Sequence, residues 1–482
     1  MATRRHTSAV GEPMAPRDAL NYYFESERTP GTIVHGIVVD AARSDGSLRT
    51  LADVERFARS VLDLHPLFRR RLRTTIADLA FPVWVECDVD VRAHVFVHDA
   101  SAADEHPDHF LRRRVMDASS TPFDFDVPAW QIHLVTGLRG VPGVPEGGSV
   151  LLLKVHHSAI DGMGTTSLVH RMLAPPSADV SAHRNDVFDR ESIIVPTPFA
   201  ALRSLPREFA GFAGRGVRRW RAVRQLDPAQ RPTAHHYPAT RFNRNLAPDM
   251  TFGMAWFDLD RVRAIKSAVP GATVNDVVMT VVSIALSDYL GGELPATSLG
   301  ASFPVNVRTV DTTGETANQL AIAVVDLFTD VADPVDRLRA VSAAARDRKS
   351  DLATRLRSLP SHPMNSAPAP LLAAIARLMP RRPAAPTTTG TNTLISNIAY
   401  GNDRMELAGA PVTGVFAPLP VVEGVQLAHV VVSAGGRMCL TAVSHRALMP
   451  DVDHYTALLA SALDTLAVAT DTSERASVAT VA

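Results

Sequence analysis

The chain has 482 residues, 46% hydrophobic and 21% charged, with 49 lysines and arginines against 50 aspartates and glutamates for a net charge of -1. At roughly 150 residues per domain this is a globular protein of two to three domains, and the missing cationic surplus excludes nucleic acid as the main partner. Its only cysteines, Cys87 and Cys439, are far apart, which excludes a disulfide framework and favours a reducing, cytoplasmic setting.

Residues 1–13 are polar, carry Arg4 and Arg5 and lack the apolar stretch of a secretory signal, so a disordered N-terminus is expected. A first domain is expected over 14–175. In it, 32–39 and 149–155 are short apolar runs suited to strands, and 51–64 and 162–173 carry apolar residues at helical spacing. Composition shifts at Pro175-Pro176, and 176–248, rich in proline, arginine and serine, reads as a crossover linker. Inside it, Arg203, Arg207, Arg215, Arg218, Arg219, Arg221 and Arg224 interleave with Leu205, Phe209, Phe212, Val217 and Trp220. That pattern suits either a solvated helix packed on the core or a basic amphipathic helix on an anionic membrane. Gly211, Gly214 and Gly216 count against a helix there.

A second domain is expected over 249–470, with a helix at 275–290, strands at 393–398, 427–433 and 438–443, and a closing helix at 452–468. Residues 360–392, rich in proline, alanine and threonine, read as a mobile loop around an apolar-basic stretch at 371–379. The tail, 471–482, is expected to be disordered. No run reaches the ~18 apolar residues of a membrane span, so a soluble or peripheral protein is expected.

The chemistry points to the run His156-His157-Ser158-Ala159-Ile160-Asp161-Gly162. Neighbours on a strand face opposite ways, so one histidine is expected to reach a cavity and the other to be buried behind it. There is no Gly-x-Ser-x-Gly elbow, and neither cysteine has an activating partner. A histidine alone suffices where the leaving group is good, as in acyl transfer from a thioester, because the acceptor hydroxyl then needs chiefly a base. A purely structural pair, and a metal site of His156, His157 and Asp161, stay open as alternatives; adjacent strand histidines diverge, which weakens the metal reading. His235-His236 is also a doublet, but it sits in the polar linker without an aspartate-glycine step and is read as structural.

The histidine run resembles the signature of the coenzyme A-dependent acyltransferase superfamily, which includes chloramphenicol acetyltransferase, carnitine acyltransferases and peptide-synthetase condensation domains. More motifs resemble one branch, the bacterial wax ester synthase/diacylglycerol acyltransferase family. They are Met14-Ala-Pro16-Arg-Asp18, His65-Pro66-Leu67-Phe68-Arg69, Pro82-Val83-Trp84, Pro128-Ala129-Trp130, Gly271-Ala-Thr-Val-Asn275-Asp276, Pro304-Val-Asn-Val-Arg308 and Ser396-Asn397, in the expected order over about 14–468. The family often follows Ser-Asn with a valine and a Pro-Gly-Pro turn, whereas this chain runs Ile398-Ala-Tyr400-Gly401-Asn402.

The resemblance implies an α/β (α+β sandwich) fold of two chloramphenicol-acetyltransferase-like domains, with a tunnel at their interface. It implies His157 as general base, His156 as its supporting neighbour and Asp161 as an ion-paired brace, with Arg308 as partner. Gly162 would relieve crowding at the turn. Asn275 and Asp276 would serve the substrate or simply cap a helix, and Ser396 and Asn397 would contact the oxyanion. The implied reaction is esterification of diacylglycerol, or of a long-chain alcohol, by acyl-CoA, with no cofactor beyond that substrate. The implied setting is the cytoplasm, the inner membrane face or a lipid-droplet surface. Two rivals remain: transfer from a carrier protein to a polyketide or glycolipid hydroxyl, and a catalytically silent lipid-binding protein.

Overall fold

The computed structural model describes residues 11–26, 29–43, 48–174, 197–227, 231, 235–244, 249–306, 320–360, 362–378, 386–401 and 404–481. The first half runs β1 (Gly11–Pro13), α1 (Pro16–Tyr23), β2 (Thr32–Val39), α2 (Leu51–Val61), β3 (Arg70–Arg73), β4 (Val83–Glu86), β5 (Val95–Asp99), α3 (Pro107–Ser120), β6 (Trp130–Thr136), β7 (Ser149–His156) and α4 (Gly162–Met172). The crossover contributes α5 (Pro198–Gln225) and β8 (Tyr237–Pro238). The second half runs β9 (Met250–Asp258), α6 (Leu259–Ala268), α7 (Val274–Leu290), β10 (Gly300–Asn306), β11 (Leu320–Asp326), α8 (Pro334–Ser358) and α9 (Ala369–Leu378). It ends with β12 (Thr388–Thr389), β13 (Thr393–Ala399), β14 (Glu406–Leu407), β15 (Ala410–Phe416), β16 (Leu427–Ala434), β17 (Arg437–His445) and α10 (Val452–Val481).

Two six-stranded sheets carry the molecule, in the orders β14-β15-β2-β7-β6-β5 and β11-β10-β13-β16-β17-β9. In the first, β7 lies between β2 and β6, antiparallel to both, with Thr32 opposite His156. Every residue of β7 is buried. Its sequence is continuously apolar because both faces are covered. Leu151, Leu153 and Val155 join the core with Val54 and Phe57 of α2 and Leu168 of α4, whereas Val150 and Leu152 meet Phe110, Leu111 and Val115 of α3. A slip of one residue would exchange these faces, so the two-sided packing fixes where β7 ends. In the second half a capping box of Thr273 and Asp276 starts α7. The stretch Val274–Glu293 is apolar and long enough to cross a membrane, but 61% of its most apolar window is buried inside the fold, and α7 packs on α6, α8 and α10.

The elements expected at 32–39, 51–64, 149–155, 162–173, 275–290, 393–398, 427–433 and 438–443 are present within a few residues, and the closing helix expected at 452–468 starts at Val452 but runs further. The domain limits need correction. β14 and β15, placed by sequence in the second domain, belong to the first sheet, where β15 pairs antiparallel with the outer edge of β2. Gly36 permits this: a Cβ there would lie 2.5 Å from Phe416 Cε2. The nominally disordered 1–13 includes β1, which pairs with β4 and β4 in turn with β3. The tail is the continuation of α10 to Val481. The crossover holds one 28-residue helix, α5, which continues through Pro206 and its glycines. The 360–392 loop contains α9 and β12; of the stretch 371–379, Met379 lies outside the described residues.

Candidate active site

The family-like motifs of the first half meet around α1. Met14 N–H donates to the carbonyl of Pro82 (2.8 Å), tying the opening segment to the Pro82-Val83-Trp84 box. Trp84, Tyr22, Tyr23 and Phe125 pack on the small cluster of Met14, Ala19 and Leu72. The Trp130 indole donates to the carbonyl of Phe68 (3.1 Å), and His156 N–H to that of Ala129 (3.1 Å). The three-stranded sheet and the aromatics therefore press α1 against the end of β7.

His156, the last residue of β7, is fully buried. Its Nδ1 accepts the Ser158 N–H (3.1 Å) and lies 2.6 Å from Ser158 Oγ. The ring proton is therefore on Nε2, 3.4 Å from Glu25 Oε2. Phe125 meets the ring edge to face at 4.8 Å. Two residues back, the buried Lys154 donates to the Thr121 carbonyl (2.8 Å) and sits 4.3 Å over the Phe123 ring. Burial pushes its ammonium down to about 8, against the opposing pull of Glu25. Glu25 Oε1 also accepts the Gly31 N–H (3.3 Å), and the Gly31 carbonyl accepts the His157 N–H (2.7 Å). Gly31 must be glycine, since a Cβ would lie 3.0 Å from His156 Cε1 and nearer still to Nε2.

His157 begins the turn and is half-buried. The Asn21 side-chain amide lies 3.3 Å from its Nδ1. Burial holds its pKa below the ordinary imidazole value, and His156 adds to this; its own main chain and Asp161 oppose it. The ring is therefore neutral at neutral pH, the form a base needs.

Asp161 caps α4 through the Gly164 N–H. Its Oδ2 is buried without a hydrogen-bond partner among the described residues. Arg308, its expected partner, lies outside the described residues. The expectation for Gly162 is overturned: a Cβ there would meet nothing within 4 Å, because this first helical position faces open space. The crowded glycine is Gly164, whose Cβ would lie 2.8 Å from Ile160 Cγ1. Asp276 acts as a cap, accepting the Thr273 N–H at 2.8 Å, and Asn275 reaches the Met279 sulfur at 3.9 Å. Among the described residues no hydrogen bond joins either to the histidines.

Ser396 is half-buried and Asn397 exposed on β13. β10 pairs with β13 only at Thr393 and Leu394, so the sheet opens beside Ser396 and Asn397. Beyond them Tyr400 enters the first core, bonds His35 Nδ1 (3.0 Å) and reaches Thr166 of α4. Among the described residues no three His, Cys, Asp or Glu side chains gather as a metal would require.

A cleft of about 750 Å³ opens between α3, the start of β9 and the β17–α10 turn, with Arg112, Arg113, Asp117, Arg446 and Asp453 on its rim. It shares Met116, Ser120 and Met250 with a narrow apolar pocket of about 30 Å³ that Pro30, Leu419 and Val421 help to close. His157 lines neither; Pro30 precedes Gly31, to whose carbonyl His157 is bonded.

Residues 14–278 match the wax ester synthase/diacylglycerol acyltransferase catalytic domain, and 316–467 match the C-terminal domain of the same proteins. The chain belongs to this family. Like other members of the wax ester synthase/diacylglycerol acyltransferase family, it is an acyltransferase. A putative diacylglycerol O-acyltransferase of Mycobacterium tuberculosis is 28% identical over 84% of this chain and 83% of its own length. A second from that organism is 27% identical over 96% and 98%. The solved wax ester synthase/diacylglycerol acyltransferase of Marinobacter aquaeolei shares the fold, with a TM-score of 0.64 at 20% identity over 95% of this chain and all (100%) of that one. The two-sheet α/β architecture expected of the family is thereby established.

Sequence reading passed over Asn21, Glu25, Gly31 and Tyr400 as site residues. Asn21 did carry a signal, a poor helix former inside a short helix. The other three owe their roles to partners far along the chain, which no local pattern reports.

Proposed function

We propose that the protein transfers the acyl group of an acyl-CoA to a lipid hydroxyl, diacylglycerol first, with His157 as general base and no covalent intermediate. The observation that carries this is the His157 ring: half-buried, neutral, its Nδ1 faced by the Asn21 amide at 3.3 Å and its Nε2 therefore the nitrogen left for the hydroxyl. Nε2 takes the hydroxyl proton as the oxygen attacks the thioester carbonyl. The oxyanion collapses, the C–S bond breaks, and the imidazolium returns the proton to the CoA thiolate. The relatives named for diacylglycerol acylation support that acceptor, while the family's double name keeps a long-chain alcohol as second acceptor. Ser396 and Asn397, beside the opening in the second sheet, are the candidates for the oxyanion. No cofactor enters this chemistry.

The working surface proposed is a cytoplasmic anionic membrane or droplet. On α5, Phe199, Leu202 and Trp220 are 75%, 58% and 57% exposed among the arginines, and Arg215 and Arg219 tie the helix to the carbonyls of Ser366 and Pro360. On α9, Leu378 is 79% exposed, and Ile76, on the short turn that α9 contacts, is 70% exposed. Apolar side chains flanked by arginine suit an interfacial helix.

The test is purified protein with palmitoyl-CoA against diacylglycerol, hexadecanol and glycerol, resolved by thin-layer chromatography. Diacylglycerol esterification lost in His157→Ala, by ~10²–10⁴-fold, is expected; near-normal turnover in that variant sinks the proposal.

A further inference from the structure

α1 reaches the reacting histidine with one polar side chain, Asn21, whose amide lies 3.3 Å from His157 Nδ1. With Nδ1 faced by Asn21, Nε2 is the nitrogen left to act as base, and a neutral ring whose lone pair is on Nε2 carries its proton on Nδ1. An amide NH₂ facing that proton would set donor against donor. A side-chain amide turned about χ2 presents oxygen in place of nitrogen with little change of shape. The hydrogen bond is then restored, with Nδ1–H donating to Asn21 Oδ1.

We infer that Asn21 is a positioning residue that holds His157 in the Nδ1–H tautomer through its Oδ1, leaving Nε2 as the lone pair that meets the acceptor hydroxyl. The inference rests on His157 being the base. Its structural support is that α1 is not free to drift. Ala19 is fully buried in the cluster with Met14 and Leu72, Tyr22 meets Phe125 at 5.3 Å, and Phe125 meets the His156 ring at 4.8 Å. After α1, Glu25 holds Gly31 N–H, and the Gly31 carbonyl holds His157 N–H. Helix and following loop therefore grip the same residue from ring and main chain. The titratable neighbours acting on the ring are His156 and Asp161, and Asn21 adds a neutral acceptor to them.

The two amide orientations separate on substitution. An aspartate keeps an acceptor oxygen and loses the donor; an alanine loses both. If Oδ1 is the working atom, Asn21→Ala lowers kcat about 3- to 10-fold at unchanged KM. Asn21→Asp then keeps kcat within about twofold of the parent on its alkaline plateau, and its acid limb moves up by about one pH unit as the new carboxylate favours the imidazolium. Nitrogen NMR of the histidine-labelled full chain reads the tautomer without turnover: a protonated Nδ1 in the parent, and a mixture in Asn21→Ala. The inference is overturned if the parent shows a protonated Nε2, if Asn21→Asp is as impaired on its plateau as Asn21→Ala, or if Asn21→Ala matches the parent in kcat and tautomer. Failure of the base assignment looks different. His157→Ala would then keep turnover while the tautomer shift in Asn21→Ala persisted.

Discussion

Replacing Gly31 by alanine tests the packing that sets the histidine pair. The added Cβ would stand 3.0 Å from His156 Cε1, closer to Nε2, and 3.2 Å from the Asn21 carbonyl oxygen. Favourable heavy-atom separations are ~3.5–4.0 Å, so the ring or the loop must withdraw by roughly 1 Å. The ring has little room, with Ser158 on Nδ1 and Phe125 at its edge. Overpacking of this kind costs ~1–3 kcal/mol. With an unfolding entropy of ~2.1 cal/mol/K per residue, 482 residues unfolding as one unit correspond to ~1 kcal/mol per degree, so Tm should fall by ~1–3 °C. The loss in kcat should be larger than the loss in stability suggests. The Gly31 carbonyl anchors His157, and a displacement near 1 Å at a reacting group costs on the order of 10²-fold. Gly162→Ala is the stability comparison, since its Cβ meets open space and alanine is the better helix former; Tm should hold or rise. Calorimetry and initial rates on both variants are the assay. The packing argument is refuted if Gly31→Ala keeps both Tm and kcat while Gly162→Ala loses Tm.

Because burial lowers the His157 pKa, the acid limb of kcat/KM should fall below pH 6.5; a limb above that value contradicts the assigned environment. His35, pushed down to about 4 by burial against an unfolded value near 6.5, binds its proton more readily in the unfolded chain. Stability should therefore be lost as pH falls from about 6.5 toward 4, by up to about 3 kcal/mol at ~1.4 kcal/mol per pH unit. Urea melts at pH 7 and 4.5 should show His35→Gln less stable at neutral pH but flatter across the acid range. Gly36→Ala should destabilise by ~1–3 kcal/mol through Phe416, and Phe416→Leu in the same chain should recover part of it; no recovery would mean that the ring is not the obstacle. Flotation with anionic vesicles should carry the protein at low salt, and Trp220→Ser with Arg218→Glu should abolish it. No flotation of the parent protein counts against the proposed membrane face.

What the sequence disclosed was the local part of the fold. β7 could be read because a strand covered on both faces is continuously apolar, and the alternation of side chains separated His156 from His157 before any partner was known. The start of α7 was legible at Asn275 and Asp276, within a residue of its true first turn, whereas the Thr273 half of its capping box was not. The exchange of β15 could not be read, because nothing in the run Ala410–Phe416 names the sheet it joins. What decides is the free edge of β2 and the absence of a side chain at Gly36. Gly162 and Gly31 make the same point within the site. Both are glycines near the histidines, but crowding depends on whose ring occupies the space, and that ring arrives from another part of the chain. The glycines of α5 led to a helix being doubted, although isolated glycines lower helical stability by only about 1 kcal/mol each.

The strand exchange also bears on the order in which the molecule is made. While a ribosome has delivered only the first half, β2 has a partner on one side and an open edge on the other, since β15 has not yet been synthesised. An open edge on a buried, apolar strand invites pairing with other chains. The sheet that carries His157 is completed only when residues 410–416 emerge, so the nascent chain passes most of its synthesis with the reacting half unfinished. The isolated first half would remain at that stage, an incomplete sheet in search of an edge.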